Sequence, residues 1–155
     1  MNRALMHEAI EMAIENVREG QGGPFAAFVV RGDEILGRGT NQVTTANDPT
    51  AHAEVMAIRD ACSSLGAFQL DGCDLYTTCE PCPMCLGAAY WARVDKIFFA
   101  GTRDAAARAG FIDAHIYDEL PLDPADRSIP MLPLLSEEGE RPFDIWRKYE
   151  KRVAY

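Results

Sequence analysis

Apolar residues Leu5, Met6, Ala9, Ile10, Ala13, Ile14 and Val17 recur at three- and four-residue steps, the period of one helix face, and Gly20 ends the run. This spacing predicts an amphipathic first helix. Two short β-prone runs follow at residues 25–31 and 34–39, with Gly32 and Asp33 between them as turn formers, and together they predict a hairpin. After the polar Asn47, Asp48 and Pro49, residues 51–64 are helical in composition and stop at Gly66. His52 and Glu54 therefore fall in the first turn of that predicted helix.

Residues 73–79 predict a strand, 83–91 a helix and 96–100 a strongly apolar strand. This is a βαβ unit, whose crossover should be right-handed and whose strands should be parallel. An alanine-rich helix to about Ala109, a proline-bounded segment at 121–130, a short strand at 131–134 and a last helix carrying Phe143, Ile145, Trp146 and Tyr149 complete the pattern. The chain shows no internal repeat and no linker, and its 155 residues fit one domain with one core.

Composition narrows the function classes. Acidic residues outnumber basic ones 24 to 15, and the resulting charge of −9 repels phosphate polyanions, which argues against a nucleic-acid substrate. No stretch is long and apolar enough to span a membrane, and the N-terminal segment carries acids where a secretory signal is apolar, so the expectation is a cytoplasmic protein with no membrane partner. Five cysteines, Cys62, Cys73, Cys79, Cys82 and Cys85, cannot all pair. Their crowding and the C-x-x-C spacing of the last two point to thiolates on a metal in a reducing compartment.

A catalytic zinc site uses three protein ligands and keeps a fourth position for water, whereas a structural site is closed by four. The chain offers one such set. His52 opens His-Ala-Glu, and further on Pro81-Cys82-Pro83-Met84-Cys85 matches the P-C-x-x-C that accompanies H-x-E in zinc deaminases. Pro83 lacks an amide hydrogen and fits a helix only in its first turn, so Cys82 should cap that helix, with Cys85 three residues on and facing the same way. Helix N-termini favour thiolate over thiol. Glu54, two residues after His52, should point away from the imidazole, as a proton shuttle rather than a ligand. Either half alone is weak: His-x-Glu is a common helix start, and Cys82 with Cys85 could be a redox pair or half of a four-cysteine site. Their combination in this order carries the reading.

Beyond these motifs, the sequence resembles the cytidine deaminase superfamily and, within it, the short bacterial guanine deaminases along essentially the whole chain. The segments that carry the resemblance are Gly22-Gly23-Pro24-Phe25, the run from Asn47 to Glu54, CEPCPMCLGAAYW at 79–91, Ala109-Gly110-Phe111 and the ending Val153-Ala154-Tyr155. It implies an α/β protein of three-layer α/β/α architecture with a five-stranded mixed sheet, one Zn2+ per subunit, and hydrolysis of guanine to xanthine and ammonia. It also implies a base pocket shaped by Phe25, Asn41, Ala53, Trp91, Asp113 and Tyr155. An acceptor-only carboxylate such as Asp113 suits the N1–H and exocyclic amine of guanine, while Asn41 can donate and accept. The resemblance further implies a homodimer that exchanges C-terminal segments, Tyr155 closing the neighbour's site.

Three rivals stay open. A tRNA adenosine deaminase would share the zinc motif but needs a basic face. A deaminase of guanosine, cytosine or an aminotriazine would share nearly every residue named. A zinc-binding interaction module would keep the cysteines and have no use for Glu54.

Overall fold

The structure is a computed structural model that describes residues 1–155. Residues 1–114 and 115–155 form two compact units. In the first, helix α1 (Arg3–Arg18) starts at Asn2, whose side-chain oxygen accepts from the amides of Ala4 and Leu5 and so caps two otherwise unpaired donors. The hairpin forms as predicted: β1 (Ala26–Arg31) pairs antiparallel with β2 (Glu34–Thr40). A short helix α2 (Val43–Ala46), absent from the sequence reading, precedes α3 (Ala53–Leu65). Then come β3 (Asp74–Cys79), α4 (Pro83–Ala92), β4 (Lys96–Gly101) and α5 (Arg103–Arg108).

The sheet order is β2-β1-β3-β4; β1 runs antiparallel to both neighbours, and β3 and β4 are parallel, as the βαβ reading requires. Side chains alternate across it. Phe28, Val30 and Tyr76 face α1 through Leu5 and Ala9, while Ala27, Val29 and Leu75 face α3 and α4 through Ala53, Ala57, Ala61, Ala89 and Ala92. Helices therefore cover both faces of a mixed sheet, the expected three layers.

The sheet has four strands, not the five expected. Residues 131–134 form irregular chain instead of a strand. Pro133 has no amide hydrogen to give a ladder, and the Met131 amide turns back to the Pro124 carbonyl at 2.8 Å. Their high apolarity reads as a strand on pattern alone, and the prolines overrule it.

The α3–β2 contact positions the site. A Cβ on Gly37 would lie 2.4 Å from the Ala57 carbonyl oxygen, and one on Gly39 would lie 2.2 Å from that of Ala53. Glycine at both positions lets the alanine face of α3 lie directly on the strand. Gly39 meets the first turn of α3, so the helix N-terminus stands at the end of β2, beside Asn41.

The second unit contains α6 (Ala114–Glu119, starting at the boundary), a single 3-10 turn at Pro124–Asp126, α7 (Ser136–Gly139) and α8 (Arg141–Lys148). Glu119 accepts from both the amide and the hydroxyl of Ser128, and the Arg127 guanidinium donates to the carbonyls of Leu120 and Leu122. These polar contacts organise the 119–128 turn. No helix in the chain is long and apolar enough to cross a membrane.

Candidate active site

Two helix N-termini converge on the candidate site, because α3 and α4 pack side by side through Ala53, Ala57, Ala89 and Ala92. His52 is the N-cap of α3 and Cys82 the N-cap of α4, both with extended backbone, and Pro83 occupies the first helical turn as its missing amide requires. His52 thus sits one position outside the helix in which the sequence placed it. Upstream, Asp48 accepts from the Thr50 amide at 2.8 Å and hydroxyl at 2.7 Å, turning the chain into His52; these bonds hold the Asp48 carboxyl below its ordinary range.

His52 Nδ1 lies 3.6 Å from the Cys82 sulfur and 3.5 Å from the Cys85 sulfur, and the three atoms lie within 4.8 Å of one another. A tetrahedral ion with bonds of about 2.3 Å to sulfur and about 2.05 Å to nitrogen spaces such atoms about 3.5 Å apart. The two nitrogen–sulfur distances match that spacing, so the trio is able to hold zinc, with Nδ1 the nitrogen facing the sulfurs. The charges agree. A hydrogen bond from Cys85, opposed by burial and helped by His52, pulls the Cys82 thiol down to about 4, while Cys85, bonded to that thiolate and buried, is pushed up. A thiolate with a thiol beside it is a pair that a bound cation would let ionise together. The hydrogen bond with Cys82 likewise raises His52, against burial and with further help from Glu54 and Asp113.

Glu54, only 6% exposed, sits in the first turn of α3 with its carboxylate 3.4 Å from the Cys85 sulfur and outside the ligand trio. Burial pushes its carboxyl above the ordinary range. A carboxyl that takes up a proton more readily than usual beside such a trio would suit a general acid and base. Cys79 is also close, and burial first, with the charges of Glu54 and Asp113, pushes it up to about 11, but its sulfur is not one of the trio. That agrees with the sequence reading, which gave Cys62, Cys73 and Cys79 no ligand role.

The expected base-pocket residues divide. Phe25 is half-buried, its ring edge-on to Phe111 at 4.7 Å and 82°. Asn41 is buried, with its oxygen accepting the Gly23 amide at 3.2 Å. Asp113 is half-buried and its charge reaches both His52 and Cys79. Ala53 is wholly buried, so it can offer a ligand only its amide, which has no acceptor within the helix. Trp91 lies nine positions beyond Cys82 along α4, about 13 Å down the axis, and is 69% exposed. Tyr155 belongs to the second unit. The first unit brings His52, Cys82, Cys85 and Glu54 together with Asp113 in electrostatic reach of His52, and it joins Phe25 to Asn41 through the Phe25 carbonyl. The sequence reading missed Phe111 and Asn16 as contributors; Asn16 carried a signal, since it continues the apolar Leu5, Ala9, Ala13 stripe with a polar group.

Comparison with known proteins agrees with this geometry. The chain is 49% identical to the guanine deaminase of Bacillus subtilis (strain 168) over 154 residues, 99% of each. It superposes on the X-ray structure of guanine deaminase from Bacillus subtilis with a TM-score of 0.96, covering 100% of this chain and 99% of that one. A solved guanine deaminase from Nitrosomonas europaea matches at 34% identity and a TM-score of 0.66, over 70% of this chain and 63% of that one. The tRNA-specific adenosine deaminase of Bacillus subtilis is 43% identical over 94 residues, 61% of this chain and 58% of that protein. The family model for the cytidine and deoxycytidylate deaminase zinc-binding region matches residues 1–101, which hold all three candidate ligands and Glu54. The chain belongs to that zinc-dependent deaminase family.

Proposed function

We propose that residues 1–155 act as one hydrolytic deaminase domain that converts guanine and water to xanthine and ammonia, with one Zn2+ per subunit on His52, Cys82 and Cys85. The observation that carries the reading is a buried Glu54 beside a His-Cys-Cys trio able to hold a metal, in a chain that matches a guanine deaminase end to end. His52, Cys82 and Cys85 would hold the zinc ion, which would supply the Lewis acidity that brings the pKa of water to about 7.

The protein's own residues do the rest. Glu54 accepts a proton from the attacking water and gives it to a ring nitrogen as the C–O bond forms; it then takes the proton of the new hydroxyl and gives it to the amine as the C–N bond breaks and ammonia leaves. Its raised proton affinity suits both halves of that task. Phe25 offers a ring face or edge for the base, Asp113 accepts from donors on the guanine edge, and Asn41 meets an acceptor. The net charge of −9 and a full-length likeness favour a free base over a tRNA.

The second unit exposes Ile129, Leu132, Leu134, Phe143 and Ile145, with Leu134 at 86%. So much apolar surface calls for a cover. A homodimer that exchanges C-terminal segments supplies one, and in it Tyr155 and Trp91 complete the base pocket. Five unpaired thiols suit a cytoplasmic location.

Glu54→Gln is the direct test. Ammonia release from guanine should fall by the ~10² to 10⁴ of a lost proton shuttle, with zinc content unchanged; unaltered turnover would reject the mechanism. Running guanosine, adenine, cytosine and tRNA beside guanine decides the substrate, and a preference for any of them over guanine overturns the assignment.

A further inference from the structure

Helix interiors disfavour asparagine, and burial disfavours it further unless its carboxamide is fully engaged. Asn16, 5% exposed in the last turn of α1, is such a residue. Its side-chain nitrogen donates to the Gly23 carbonyl at 2.8 Å and to the Asn41 carbonyl at 3.0 Å. Both partners are acceptors only, so the amide nitrogen must face them and the orientation admits no flip.

Those two bonds close a small network. The Gly23 amide donates to the Asn41 side-chain oxygen, the Phe25 amide to the Gly23 carbonyl at 2.8 Å, and the Asn41 amide to the Phe25 carbonyl at 3.0 Å. Gly22 makes the closeness possible, since a Cβ there would lie 1.9 Å from the Asn41 carbonyl oxygen. A backbone amide can only donate, so the atom of Asn41 turned to Gly23 is its oxygen. What remains for a ligand is the Asn41 NH2 group, a donor.

We propose that Asn16 is a positioning residue that clamps the Gly22–Phe25 segment against Asn41 and fixes the Asn41 carboxamide with its NH2 outward, so that this position of the site reads a hydrogen-bond acceptor on the base. The proposal rests on the deaminase reading for the identity of the base. The clamp converts Asn41 from a group that could both donate and accept into a donor of fixed sense. Beside the acceptor-only Asp113, it gives the pocket one donor and one acceptor, which matches a purine edge bearing a carbonyl next to an N–H. Asn16 touches neither base nor metal and acts only through Asn41 and Phe25.

The test uses Asn16→Ala and the isosteric Asn16→Asp, each alone and combined with Asn41→Ala. Expected is a KM for guanine raised about tenfold, kcat within about threefold of wild type, and unchanged zinc content. On the Asn41→Ala background, neither substitution should raise KM further. A folded Asn16→Asp protein with wild-type KM overturns the proposal, as does a KM rise that persists in full without the Asn41 side chain. Scalar couplings across the hydrogen bonds of wild-type protein, from the Asn16 side-chain nitrogen to the Gly23 and Asn41 carbonyl carbons, need no substitution and no substrate. Their presence supports the clamp and their absence rejects it. If wild type releases no ammonia from guanine, the functional reading fails while those couplings still decide the clamp.

Discussion

Asp113 and Glu54 are both carboxylates near the trio, and their surroundings give them different work. Glu54 is buried and its carboxyl is pushed up, which suits it to carry protons in the proposed reaction. Asp113 is half-buried and reaches His52 only through its charge, which leaves it to accept hydrogen bonds from a ligand. Replacing Asp113 with Asn keeps the shape and turns part of an acceptor into a donor, opposite the donors of the guanine edge. Steady-state assays of Asp113→Asn should show kcat/KM for guanine falling about 10²-fold with zinc retained, since a mispaired buried donor costs more than a missing bond. Equal activity would remove Asp113 from the pocket. At this scale the ligand set was legible in the sequence, because Pro83 fixes a helix start and the cysteine spacing follows from it. The fixed sense of Asn41 was not legible. It depends on Gly23 and Asn16, which lie 18 and 25 residues from Asn41 and meet it only in the folded chain.

At the scale of elements, the distance between α3 and β2 decides where His52 stands. Gly39→Ala would drive a methyl group into the Ala53 backbone, an atom that cannot swing away. Overpacking of this kind costs about 1–3 kcal/mol and should lower the urea midpoint while weakening zinc retention through displaced His52. The contrasting change is Gly87→Ala within α4, where a Cβ meets nothing within 4 Å. That substitution should raise the midpoint by the equivalent of about 0.5–1 kcal/mol, since alanine suits a helix better than glycine. The same sign at both positions would contradict the packing account. The period of apolar residues was enough to predict α1, the hairpin and the βαβ unit. It failed at residues 131–134, where prolines remove ladder donors, and it missed the four-residue α2, too short to show a period.

The whole molecule combines an acidic surface, a deaminase unit and a C-terminal unit rich in exposed apolar side chains. Exchange of that unit between two copies would bury what one copy leaves open. Deleting Tyr155 should then reduce guanine turnover several-fold with melting temperature and zinc content unchanged, and sedimentation should give a dimer with or without it. A truncation with full activity would reject the terminal tyrosine as part of the site. The exchanged homodimer came from the resemblance alone, since neither the apolar pattern nor the composition carries it; the exposed apolar side chains of the last segment are a separate reason to expect a partner.

The central claim is that turnover depends on one zinc ion held by His52, Cys82 and Cys85. Its most direct test is ammonia release from guanine by protein stripped with a chelator and titrated with Zn2+. Activity should be absent at the start, rise linearly and reach its plateau at one equivalent per chain. Full turnover by the metal-free protein, or a plateau at two equivalents, would contradict the account.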